Sequence, residues 1–172
     1  MARGSPEDEL ELRFMGHAAA EQGLLMSQSP HVVKPSVVSM LICDQVIDDK
    51  VTNKKSAIGL FNIIIVPRLP MTIPQIAVLI SVTEIAGATE LELRLVRDAD
   101  NEVIFQTRGK INAPDPLSTV DLVFAMQGLK LTQAGQHAFE VLSDSEILSR
   151  RRFHIRAMQP GQPPEHPPGT QG

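Results

Sequence analysis

The sequence predicts an all-β protein, an antiparallel two-sheet sandwich of immunoglobulin-like type with about eight strands, confined to residues 36–157. Three observations carry this reading. Between those residues, short apolar stretches alternate with turn residues at the spacing of successive strands. Several stretches place an apolar residue at every second position, the period of a strand with one buried face. After residue 36, no 3.6-residue apolar period runs longer than two turns, which argues against a βαβ fold.

At 172 residues the chain suits one domain with a true core and is too short for two ordinary ones. Hydrophobic residues make up 42% and charged residues 21%, with a net charge of -4, the composition of ordinary globular proteins. That balance gives no reason to expect nucleic acid as a partner. The opening residues, with Glu7, Asp8, Glu9 and Glu11, are acidic and lack an apolar stretch followed by small residues, so no secretory signal is expected and a cytoplasmic location is. The longest apolar run, Ile58 to Val66, is broken by Gly59 and Asn62 and falls far short of the roughly 20 residues of a spanning helix. No membrane partner is expected. Cys43 is the one cysteine, which excludes an intramolecular disulfide and a multi-cysteine metal site; in its apolar run it reads as a small buried hydrophobe.

Residues 1–35 differ in character from the rest of the chain. Leu10, Phe14, Met15, Ala18, Ala19 and Leu25 stand near three- and four-residue spacing, consistent with one short amphipathic helix, but Gly16 and Gly23 weaken the pattern and Pro30 and Pro35 end it. A tail is favoured over a capping helix or a docking segment. Strands are then predicted at about 37–47, 57–66, 75–84, 91–98, 102–109, 119–127, 134–143 and 146–156. The first three are apolar on both faces, as in Met40-Leu41-Ile42-Cys43 and Ile63-Ile64-Ile65-Val66, which predicts a central position or a covering layer. Later strands commit their faces. Leu91, Leu93 and Leu95 oppose Glu92 and Arg94, Val103 and Phe105 oppose Gln106, and Val120, Leu122, Phe124 and Met126 oppose Asp121. Asp98-Ala99-Asp100-Asn101 and Ser143-Asp144-Ser145 mark hairpins, with Asn101 suited to the left-handed position. Residues 158–172, rich in Pro, Gly and Gln, have nothing to bury beyond Met158 and predict a disordered tail.

Leu131, Ala134-Gly135, His137 and Phe139 stand at the spacing of the tyrosine corner of immunoglobulin-like sandwiches, with His137 where a tyrosine is usual. The segments Leu41-Ile42-Cys43-Asp44, Ile58-Gly59-Leu60-Phe61, Pro67 to Pro70, Leu91 to Asp98 and Gly135-Gln136-His137-Ala138-Phe139 together resemble an uncharacterised family of bacterial domains of unknown function. The resemblance covers about residues 38–156. It implies a compact β-sandwich and a bacterial source, and brings no activity or functional residue with it.

Nucleophilic catalysis needs a hydroxyl or thiol beside an oriented base. Within the domain the only histidines are His137, expected to face inward as a structural imidazole, and His154, expected on the outer face of the last strand. No catalytic residue is assigned. The best metal candidate is a weak one, Asp98, Asp100 and Glu102 with Asn101, to which Asp48-Asp49 and Asp115 would have to add ligands, since calcium takes six to eight oxygens. A solvated hairpin tip is the default, and no cofactor is expected. Carbohydrate and single-stranded nucleic acid are disfavoured because the chain has no Trp and no Tyr on which to stack rings, and Phe61, Phe105, Phe124, Phe139 and Phe153 fall at apolar strand positions.

The most distinctive surface is the last strand. Alternation sets Phe153 and Ile155 inward with Arg151, and Arg150, Arg152, His154 and Arg156 outward in a row able to grip an acidic partner. The competing reading is that these charges guard a sheet edge against aggregation. Taken together, the sequence favours a non-enzymatic interaction or scaffold module for a protein partner, with homo-oligomerisation possible. The alternative is a small-molecule or calcium-binding sandwich using loops at one end.

Overall fold

A computed structural model describes residues 34–158, so the expectations for the two tails lie, apart from Lys34, Pro35 and Met158, outside the described residues. The alternating apolar stretches form nine strands. They are β1 (Ser36–Asp49), β2 (Lys54–Leu60), β3 (Ile63–Val66), β4 (Met71–Thr83), β5 (Thr89–Arg97), β6 (Glu102–Ile111), β7 (Val120–Leu131), β8 (Gly135–Ser143) and β9 (Glu146–Ala157). A four-stranded sheet of order β2-β1-β4-β7 faces a five-stranded sheet of order β3-β9-β8-β5-β6. The chain is a two-sheet β-sandwich, and its strand order is compatible with an immunoglobulin-like arrangement.

The inner faces interlock as the alternation requires. Ile76, Val78, Ile80 and Val82 of β4 share the buried core with Leu91, Leu93 and Leu95 of β5, Phe139 and Val141 of β8, and Phe153 and Ile155 of β9. Phe139 stacks on Phe153 with ring centroids 5.5 Å apart, and Phe61 meets Phe153 edge-on at 6.2 Å. Such pairs add about 0.5–1.5 kcal/mol each beyond the area they bury. The core placement of the phenylalanines expected from the sequence therefore holds, with Phe61, Phe105 and Phe124 partly buried against it.

Three expectations need correction. The run 57–66 is two strands rather than one, because the chain leaves β1 after Leu60, passes through Phe61 and Asn62, and pairs again as β3 in the opposite sheet. That second pairing is parallel, Ile63 opposite His154 and Val66 opposite Ala157, so the sandwich is not purely antiparallel. Finally, Val103 does not share a face with Phe105, because a register shift between Leu95 and Val96 sets it opposite outward-facing Val96, where it is 43% exposed.

Candidate functional site

The predicted basic row exists as a row but not as a free one. β3 covers β9 only from His154 to Ala157, so His154 and Arg156 are not on an edge, whereas among the described residues no strand pairs with that side of Glu146 to Phe153, and the edge-guarding reading applies to Arg150 and Arg152. Arg150 reaches Asp98 at 2.5 Å and Glu140 at 3.2 Å, and Arg152 reaches the other oxygen of Asp98 at 2.9 Å. The Nε of Arg150 is buried without a hydrogen-bond partner. Burial by itself would raise the Asp98 pKa, but the guanidinium groups of Arg150 and Arg152 outweigh it and hold the carboxyl below the usual range. Arg151, expected to face inward, is exposed and donates to the side-chain oxygen of Asn62 at 2.9 Å. Among the described residues no carboxylate pairs with half-buried His154 or exposed Arg156, which the register places beside Ile63 and Ile65 of β3.

The same ion pairs extend across the outer face of the five-stranded sheet. Glu92, nearly buried, accepts from Arg94 and from Arg108, the latter at 2.8 Å, and both hold its carboxyl below the usual range. This face is thus covered by its own arginines and carboxylates over buried Ala138 and Leu142.

The acidic hairpin does not converge on a metal site. Asp98 is committed to β9, whereas Asp100 and Glu102 both accept from Arg97, whose guanidinium is 2.8 Å from one Asp100 oxygen and stands where a cation would have to be. The supplementary carboxylates serve their own turns. Asp49 accepts from the amide of Val51 and the hydroxyl of Thr52, Asp48 pairs with Lys50, and Asp115 accepts from the amide of Leu117 at the far end of β6. Among the described residues, no group of three or more His, Cys, Asp or Glu side chains is arranged to hold a metal ion.

His137 is buried at the start of β8, with Nδ1 3.1 Å from the carbonyl of Gly135 and its ring 5.8 Å from that of Phe153. It faces inward at the point where the chain crosses from one sheet to the other, as the corner spacing predicts. Burial lowers its pKa, the bond to Gly135 opposing and nearby Arg97 adding to the effect. Cys43 is fully buried but faces away from the core, opposite Ala77 and Leu60 in the outer face of the four-stranded sheet. Its thiol bonds the carbonyls of Gln45 and Ala77, and burial pushes its pKa up, so it remains a thiol rather than a nucleophile.

That outer face is what sequence reasoning missed. The register lines up Leu60, Cys43, Ala77 and Ala125 in one row across β2, β1, β4 and β7; Leu41, Leu79 and Val123 form the row below, and Ile58, Gln45, Gln75 and Gln127 the row above. Leu60 is 59% exposed, Ile58 46%, Ile47 46% and Val123 38%. No charged residue enters these rows, although Asp49, Lys54 and Lys130 stand on the same face beyond them, and Cys43 and Ala77 at their centre are fully buried between the larger side chains. The signal was present in the sequence, since strands apolar on both faces predict a covering layer. Among the described residues, the apolar second face of β1, β2 and β4 is exposed at Leu60, Ile58 and Ile47 and buried at Cys43 and Ala77.

No helix among the described residues is long and apolar enough to cross a membrane. No curated protein matches the chain. One solved structure with a similar trace is the Pseudomonas fluorescens alkylpurine DNA glycosylase AlkC bound to DNA containing an abasic site analog, at 12% identity and a TM-score of 0.38; the likeness covers 69% of this chain and 30% of that one, so the chain spans less than a third of that protein. Residues 38–156, well over half of the sequence, match a family of unknown function, DUF6941, over nearly the whole sandwich. The chain belongs to this family.

Proposed function

We propose that the protein is a non-enzymatic interaction module of immunoglobulin-like type that binds a protein partner through the outer face of its four-stranded sheet. The observation that supports this reading is the contrast between the two outer faces. One is laced with ion pairs from Glu92 to Arg152, and the other presents Leu41, Ile58, Leu60, Leu79 and Val123 with no charge among them. A contiguous apolar face flanked by polar residues is the usual mark of a protein-protein contact. An unreactive thiol, a structural imidazole and carboxylates already paired with arginine leave catalysis without support at the sites considered.

The test is affinity capture from source cells with chemical cross-linking, comparing the wild-type chain with a Leu60→Glu/Val123→Glu variant of matched melting temperature. Both positions lie on edge strands and are well exposed, so the fold is expected to survive. Proteins cross-linked to the wild type and lost from the variant are the expected result. An identical set from both would sink the assignment.

A further inference from the structure

We propose that the open half of β9, residues 146–153, is a docking edge for an extended acidic segment of another protein, which adds to the five-stranded sheet as a further strand. This edge is separate from the outer apolar face, and its occupancy does not depend on what binds there. Its main-chain geometry and its charge both point to this occupant.

β3 pairs with β9 only from His154 to Ala157, and β2 pairs with β1 only from Cys43 to Asp49. On one side of the sandwich both sheets therefore end in half-strands that no other strand meets among the described residues, 146–153 of β9 and 36–41 of β1. The crossing from β2 to β3 closes one end of this opening, where the amide of Phe61 donates to the carbonyl of Ile42 at 3.3 Å and the amide of His154 to that of Asn62 at 2.8 Å. The ion pair of Lys34 with Glu146, at 2.5 Å, marks the other end. Along β9 the main chain is set to bond. The amides of His154 and Met158 point to the β3 side, and alternate residues of a strand turn their N–H and C=O to the same side, so those of Arg150 and Arg152 face the opening in line with β3. Roughly 20 Å of strand is thus open to pairing, the template that an added strand needs.

The side chains on this edge select the occupant. Arg151 has the inward parity of Phe153 yet is exposed, and it leans across the open side to donate to the side-chain oxygen of Asn62 at 2.9 Å. Among the described residues no carboxylate pairs with it. Arg150 and Arg152, on either side, share Asp98, and Arg150 also meets Glu140. Three consecutive arginines thus stand against two carboxylates. A second copy adding by the same edge would set arginine against arginine, the repulsion by which proteins keep open edges apart. An acidic strand is drawn by that same charge, and a carboxylate at the position beside Arg151 supplies the partner its guanidinium lacks. Half-exposed Ile147 gives the apolar residues of such a strand a surface to cover.

The experiment is fluorescence anisotropy of a labelled peptide, Thr-Val-Glu-Val-Glu-Val-Thr, with the full chain titrated from about 1 μM to 1 mM at low salt, beside the same peptide carrying lysine in place of glutamate. Saturable binding of the glutamate peptide alone is expected. Arg151→Gln and Arg151→Glu, each matched to the wild type in melting temperature, are expected to weaken it several-fold and at least about tenfold, the second also admitting the lysine peptide. The mark of strand addition lies in the peptide's own main chain. N-methylation at every second residue should abolish binding in one phase and spare it in the other, because only alternate amides face β9. Leu60→Glu/Val123→Glu should bind the peptide as the wild type does. No binding by the wild type at 1 mM overturns the inference, as does equal binding of the lysine peptide or indifference to Arg151→Glu. Two N-methylated phases that behave alike would leave charge attraction without a strand, and loss of binding in Leu60→Glu/Val123→Glu would place the peptide on the outer face; either result also sinks it.

Discussion

Asp98 reads in the sequence as a calcium ligand because it is a carboxylate in a hairpin rich in carboxylates, and its neighbours along the chain give no hint of its partners. Those partners are Arg150 and Arg152, 52 and 54 residues away, whose row is itself legible from strand alternation. Each half of the pair can be read and the pairing cannot, since a cross-sheet ion pair leaves no local pattern. It also changes what substitutions do. Arg152→Glu, which would test a free basic row, sets a carboxylate against Asp98 and so perturbs the fold along with the surface. Asp98→Ala strips Arg152 of its partner and leaves Arg150, whose Nε is already unpartnered, with Glu140 alone. A loss of about 1–3 kcal/mol is expected in urea unfolding, with no calcium-dependent change in melting temperature. A variant as stable as the wild type would show the network to be ornamental.

At the level of strands, the hairpins at Asp98–Asn101 and Ser143–Ser145 are legible because their turns need left-handed residues, and Asn101, Asp144 and Ser145 take positive φ there. The division of 57–66 is not, because a strand apolar on both faces does not say to which sheet it belongs. Gly59 is the local device behind that stretch. Its φ is +69°, and a Cβ at this position would collide with a carboxylate oxygen of Asp44 across the β1–β2 ladder. Gly59→Ala is expected to cost about 1–3 kcal/mol by chemical denaturation. Asp44→Ala alongside it relieves the collision but not the left-handed backbone, so only part of the loss should return; full recovery would show that the backbone conformation carries no cost.

For the molecule as a whole, acid should destabilise in two phases that belong to different groups. His137 has a folded pKa below its ordinary value of about 6.5, so the unfolded chain takes up a proton that the folded one refuses. Its contribution is complete above pH 6.5 and is lost as pH falls toward the folded value. Glu92, Asp98 and Asp100 have depressed carboxyl pKa values, so their contribution is present above about pH 4 and is lost only below it. Urea midpoints at pH 7.5 and 5.5 should differ for the wild type and converge in His137→Phe; an unchanged difference in the variant would assign the first phase elsewhere. The parallel pairing of β3 with β9 has a mechanical consequence for the same molecule. Tension entering β3 at Ile63 and leaving β9 at Ala157 draws the two strands lengthwise past one another. The bonds from the amide of His154 to the carbonyl of Asn62 and from that of Met158 to Val66, each 2.8 Å, then share the load instead of parting one at a time. The short strand that follows the crossing between the sheets thereby makes this end of the sandwich a clamp against stretching.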